Sequence, residues 1–168
     1  MACSKQDSNP EIDFGPNGGI TERNATGLLT GNIDASDWTH DDNWTSQEQD
    51  LFAPLFNAFP QGGTYGTTKN WSVYDNHYIL LYANPFVTQA TFAYTLPKAG
   101  VRSMVVVDKN FTVVVPQTNA SAPTGQQQIS LDFTQANLTA GETYRLYYVM
   151  HDSANVLFRG HGDFRITR

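Results

Sequence analysis

At 168 residues and 18.6 kDa the chain can bury one core without disulfides or metals, and its single cysteine excludes an internal bridge. A formal charge of −6, with 10 Lys and Arg against 16 Asp and Glu, lacks the basic footprint that nucleic acid or an anionic membrane surface requires. No run of 18 apolar residues is present to span a bilayer as a helix, and the low share of charged residues, 15%, with many Asn, Gln, Ser, Thr and Tyr, is the surface style of extracellular β-proteins.

Residues 1–37 are rich in Ser, Asn, Asp, Gly and Pro, contain "GPNGG" at 15–19, and hold no period of 2 or 3.6. This pattern predicts a flexible tether or arm. A helical lead-in over 38–63 follows. There Thr45 and Glu48 stand three apart as a capping box ahead of Leu51, Phe52, Leu55 and Phe56, and Pro54 predicts a kink or an end near Ala53.

From Thr64 the period becomes 2. Short runs, "WSVY", "YILLYA", "ATFAYTL", "RSMVVVD", "FTVVV", "QISLDF", "TYRLYYVM" and "VLFRGHGDFRIT", are separated by turn residues. In "ATFAYTL" Phe92, Tyr94 and Leu96 alternate with smaller neighbours, as do Ile129, Leu131 and Phe133 in the later run, so each strand should bury one face. Asp108-Lys109-Asn110 reads as a tight hairpin, and "PQTNASAPTGQQ" at 116–127 as a polar loop. The predicted fold is mostly β: an immunoglobulin-like antiparallel sandwich of about 7–8 strands over 64–168. Its sharpest local sign is "LTAGETYRLYYVM" at 138–150, where Leu138, a turn ending in Gly141, and Tyr144 opening a strand match a tyrosine corner.

The candidate chemistry is sparse. Histidines at 40, 77, 151 and 161 lie on separate segments without zinc-ligand spacing. Period 2 puts Arg159, His161, Asp163 and Arg165 on one face of the last strand. That stripe reads first as an alternating-charge solvent face guarding an edge strand, and second as a ligand face or an acid–base pair of His161 and Asp163. Gly160 and Gly162 between them mark a bulge or a close backbone approach. Asp34, Asp37, Asp41 and Asp42 gather oxygen ligands without the order of an EF-hand loop, so a solvated acidic loop is expected over a metal site. Trp38, Trp44 and Trp71 are candidates for stacking on sugar rings, against the plainer reading that they cover the core. There is no Gly-x-Ser-x-Gly elbow and no phosphate loop, so no catalytic residue and no cofactor is assigned. Asn-x-Ser/Thr occurs at Asn24, Asn43, Asn70, Asn110, Asn119 and Asn137, which leaves N-glycosylation as a minority reading.

Two resemblances add a setting. Ala2-Cys3-Ser4-Lys5-Gln6-Asp7-Ser8-Asn9-Pro10 resembles the processed end of a bacterial lipoprotein: a small residue, the lipid-bearing cysteine, then a polar spacer. The resemblance implies an acylated Cys3, attachment to the membrane through that lipid, and an outer-membrane or cell-surface location, with secretion as the alternative. Residues 78–168 are similar to the immunoglobulin-like C-terminal sorting domains of type IX secretion cargo. Asn84-Pro85-Phe86, Thr95-Leu96-Pro97-Lys98-Ala99-Gly100, Asp108 and Leu138-x-Ala140-Gly141 stand in matching places. That likeness implies a sandwich and, as an alternative role, a sorting module. Together they give the expectation of a non-catalytic, lipid-anchored envelope protein that binds a protein or glycan partner or plays a structural part, with no nucleic acid involved. A carbohydrate-binding module is a further alternative.

Overall fold

The computed structural model describes residues 11–15, 18–41, 43–58 and 78–167. Cys3, Asp42 and Trp71, and the predicted run "WSVY", lie outside the described residues. Strands are β1 (Thr39–His40), β2 (Ile79–Tyr82), β3 (Gln89–Leu96), β4 (Gly100–Val107), β5 (Val113–Ala122), β6 (Gly125–Asp132), β7 (Thr143–His151) and β8 (Val156–Arg165). Two short helices, α1 (Ser46–Asp50) and α2 (Ala53–Ala58), separate β1 from β2. All strand pairs are antiparallel, in a five-stranded sheet ordered β1-β8-β7-β4-β5 and a three-stranded sheet ordered β2-β3-β6. The fold is the predicted β-sandwich.

Between the sheets lies a core that joins Leu81, Phe92, Tyr94 and Leu96 to Met104, Val106, Leu146, Tyr148, Met150, Phe158 and Phe164. The tyrosine corner is formed. The Tyr144 hydroxyl accepts a hydrogen bond from the backbone N–H of Thr139 at 2.7 Å, and its ring stacks on Phe164. At the β4–β5 turn the Asp108 carboxylate accepts from the N–H groups of Asn110 and Thr112, so the hairpin forms where the sequence puts it.

One buried face per strand holds for β6, whose exposure alternates along its length, but not for β4 or β7. Their second faces carry a second core of Val105, Val107, Tyr147 and Val149 beneath Ile12, Trp44 and Phe52. The helical lead-in supplies that cover. Thr45 and Glu48 make the reciprocal capping box, and the helix is interrupted before Pro54 as the missing N–H demands. Phe52, fully buried at the break, stacks on Trp44 at 5.6 Å.

Two expectations are corrected. The described part of the predicted tether is packed onto the sandwich: Ile12 and Ile20 are buried, the N–H of Ile12 donates to the carbonyl of Lys109, and Arg23 exchanges both backbone hydrogen bonds with Asn84. Single anchor residues and backbone pairing hold it, neither of which leaves a hydrophobic period. The segment 116–127 is mostly strand. β5 runs to Ala122 and β6 starts at Gly125, so only Pro123 and Thr124 cross from one sheet to the other. These strands end their sheets and are wetted along much of their length, so polar residues occupy positions that a central strand would give to Val or Ile.

Candidate functional site

The stripe on β8 is not a solvent face, because β8 lies between β7 and β1 and its charged side is covered by the N-terminal arm and the helices. Asp163 is 1% exposed and Arg159 4%. The Asp163 carboxylate receives a bidentate pair of bonds from Arg145, both at 2.7 Å. Burial pushes its pKa up to about 6 against the opposing pull of Arg145. The Arg159 guanidinium lies over Trp44 at 5.1 Å and Phe56 at 5.4 Å, and its Nε donates to the carbonyl of Asp41. His161 stands edge-on to Tyr147, with Nε2 3.9 Å from the Asp41 carboxylate; burial, followed by the Arg145 charge, lowers its pKa to about 4, so it is a neutral ring at neutral pH. Arg165 donates through Nε to the Thr143 hydroxyl.

The acidic stretch is equally absorbed. Asp37 is buried and ties the arm to β8: one oxygen accepts from the N–H of Asp163 and the other from the N–H of Thr21, each at 2.7 Å. Desolvation, then the nearby Asp163 charge, raises its pKa to about 7. Asp34 takes the N–H and hydroxyl of Ser36. Among the described residues no three His, Cys, Asp or Glu side chains converge to hold a metal ion.

Trp38 and Trp44 do not offer stacking faces, being 7% and 5% exposed. Trp38 has a left-handed backbone (φ 58°) and its ring lies across Gly162, where an added Cβ would stand 2.2 Å from a ring carbon. Gly160 likewise admits the Thr39 carbonyl and the Tyr148 hydroxyl. The paired glycines are therefore a close approach. Tyr148 donates to that Thr39 carbonyl at 2.8 Å, and Tyr147 donates to Glu48 at 2.9 Å, extending the capping box into the core. Asn84, fully buried, gathers the arm, β8 and the β2–β3 connection by donating to the carbonyls of Thr21 and Asp163 and accepting from the N–H of Arg165. Sequence reading placed Asn84 only through the resemblance and had no signal for this hub.

Among the described residues a groove of about 450 Å³ opens beside α2, on the outer face of β4, β5 and β7 toward the end where β7 finishes. Ser103, Gln117, Asn119 and His151 supply its polar side, and Leu55 and Val101 its aliphatic side. The Asn119 Oδ1 accepts from the Ser103 hydroxyl at 2.7 Å and from the Gln117 Nε2 at 3.0 Å. With both donors on its oxygen, the amide is oriented to present its NH₂ as a donor. His151 Nε2 is 3.4 Å from the Ser103 oxygen, while its Nδ1 is 3.1 Å from the Asp152 carbonyl. The Asp152 carboxylate is taken up elsewhere, by Lys98 and by the N–H groups of Ala154 and Asn155, and lies low, at about 2, chiefly because of Lys98. With the Ser103 proton directed at an amide and the aspartate turned away from the imidazole, the arrangement suits hydrogen bonding to a neutral polar ligand better than activation of a nucleophile. From sequence, Asn119 stood out only as an Asn-x-Ser/Thr site and His151 only among histidines without zinc-ligand spacing, and nothing joined them to Ser103 or Gln117. The available signal was Ser103, a polar residue inside the apolar run "RSMVVVD".

No protein-family model matches the chain, and comparison with curated proteins finds no match. Among solved structures the chain is similar to one described as "The structure of a beta-glucuronidase from glycoside hydrolase family 2", at a TM-score of 0.33 and 13% identity. The likeness covers 53% of this chain and 11% of that one.

Proposed function

We propose that this chain is a non-catalytic binding or structural module of the bacterial cell envelope or surface, attached to the outer membrane through lipid on Cys3 and meeting its partner in the groove around Asn119. The supporting observation is the contrast between the two polar regions. Asp163, Asp37 and Glu48 are buried and, with the half-buried Arg145, are spent on holding the arm and helices to the sheet, whereas the groove is lined by amides, hydroxyls, the His151 ring and aliphatic carbons, with the Asp152 carboxylate taken up by Lys98. Such a surface recognises a neutral hydroxylated or amide-bearing partner, a glycan or a peptide, without a charged anchor. The glycan alternative thus moves from the buried Trp38 and Trp44 to Asn119 and Gln117.

Two measurements test the reading. The gene expressed with its native upstream segment should yield a product that enters the detergent phase on partitioning, and Cys3→Ala should return it to the aqueous phase; a wild-type product already in the aqueous phase removes the anchor. Screening the full chain against glycan and peptide arrays should give ligands whose binding falls at least tenfold in Asn119→Ala. Ligands indifferent to that change would remove the groove.

A further inference from the structure

The sandwich closes unevenly along one margin. Its five-stranded sheet ends in β5 and its three-stranded sheet in β6, and with only Pro123 and Thr124 between them these two edges lie side by side. A crevice of about 160 Å³ opens there between the sheets, lined by Met104, Val106 and Leu146 from within, by Val115 of β5, and by Leu131 and Phe133 at the end of β6. Val115, Ile129 and Leu131 pack on the core yet stay only half-buried along this margin.

The edge of β6 is unguarded. Among the described residues no strand pairs with its outer side. The N–H of Phe133 donates to the carbonyl of Thr88, on the β3 side, so the alternation of an antiparallel ladder turns the backbone groups of Gln126, Gln128, Ser130 and Asp132 outward. They form a row of donors and acceptors that another strand can complete. The other sheet ends are blunted: β1 has 2 residues, β2 has 4, and β5 is interrupted by Pro116 and by register shifts against β4. β6 runs for 8 residues with neither proline nor lysine.

The charge distribution indicates what pairs there. The chain carries −6 overall, yet from Phe111 to Leu131, through both edge strands and their connection, no residue is charged or titratable. This is the margin along which an acidic chain meets its own copy with least repulsion. β6 also complements itself. With a two-fold axis at Ile129, an antiparallel copy sets Gln126 opposite Asp132, Gln128 opposite Ser130 and Ile129 opposite itself, so that amide donors meet a carboxylate and a hydroxyl and no like charges face each other. In that register the outward-pointing residues pair with one another and form about eight backbone hydrogen bonds. We propose that two copies of this chain associate through β6, joining their three-stranded sheets into one continuous sheet and covering Ile129 and Leu131 at the seam. Because the axis stands perpendicular to the sheet, both copies present the groove around Asn119 on the same side. The pairing itself needs neither that groove nor a lipid on Cys3.

Sedimentation velocity on the full chain over a concentration series should show a monomer–dimer equilibrium. Gln128→Glu with Ser130→Glu sets carboxylates opposite one another across the seam, on side chains that are exposed in the single copy, and should weaken association about tenfold or more without changing the melting temperature of the monomer. Gln128→Lys with Ser130→Lys should do the same. An equimolar mixture of the two variants should recover association, since each carboxylate then meets an ammonium, a result that a loss of folding does not produce. Ser130→Pro, which removes an N–H from the outer side of β6 only, should abolish the dimer with circular dichroism unaltered. A chain that stays monomeric up to about 1 mM would overturn the proposal. So would a dimer that both charged variants leave intact, or a mixture that associates no more tightly than either variant alone.

Discussion

Gly162→Ala probes the seat of Trp38 on β8. The new methyl would lie 2.2, 2.3 and 2.4 Å from three carbons of the indole, where ordinary carbon contacts begin near 3.5 Å, so the ring has to retreat by more than an ångström. It has little room to do so. Trp38 is 7% exposed, its N–H donates to the His161 carbonyl at 2.9 Å, its ring packs on Phe92 at 6.2 Å, and Thr39 and His40 are in register with His161 and Gly160. Overpacking of a tight core costs about 1–3 kcal/mol, and with three ring atoms overlapped the upper end applies. At roughly 2–4 °C per kcal/mol for a chain of this size, the melting temperature should fall by about 6–12 °C. Urea unfolding followed by circular dichroism measures the free energy directly. The decisive comparison repeats the substitution in a Trp38→Leu background, where the smaller side chain frees the space and Gly162→Ala should cost less than about 1 kcal/mol, since alanine otherwise suits a strand better than glycine. A single variant as stable as wild type, or an equal cost in both backgrounds, would refute the assigned contact.

Three further outcomes are expected. Tyr144→Phe removes the acceptor of the Thr139 N–H while keeping the ring on Phe164, and should lower stability by about 1 kcal/mol in denaturant titration; an unchanged midpoint would show that the corner bond adds nothing. Asp163→Leu and Arg145→Met should each cost about 3–5 kcal/mol because each strands a buried charge, whereas the double variant should cost less than either, and additive losses in a double-mutant cycle would contradict the pairing. His161 has a folded pKa lowered from 6.5 to about 4, so its contribution to stability is present above pH 6.5 and is lost as pH falls through 4. Asp37, raised from 3.8 to about 7, acts in the opposite sense: its contribution is full below pH 3.8 and is lost as pH rises through 7. His161→Leu should therefore gain about 3 kcal/mol relative to wild type between pH 7 and pH 4, and parallel stability–pH curves for the two proteins would count against a buried neutral histidine.

The readings that succeed from sequence are those in which the cause is local. A capping box needs Thr45 and Glu48 three residues apart, a tyrosine corner needs Tyr144 five residues after Thr139, and a hairpin needs Asp108 to reach its own backbone; each appears as read. The readings that fail depend on what lies across the sheet. Period 2 correctly places Arg159, His161, Asp163 and Arg165 on one side of β8, but it does not say whether that side meets water or another layer. Alternation in a strand buried on both faces looks the same as alternation on a wetted one when the second layer is held by charge pairs and aromatic rings rather than by an aliphatic stripe.

The sequence by itself determined a β-sandwich with a capped helical lead-in, because binary period, turn residues and caps are properties of neighbouring residues. Only the tertiary structure decided that β8 is an inner strand, that the arm packs on it through Asp37, and that Ser103, Asn119 and His151 share a groove. The physical reason is that these relations are set by strand order. A run of residues encodes its own period, whereas which strands become neighbours emerges from the free energy of the whole packed chain.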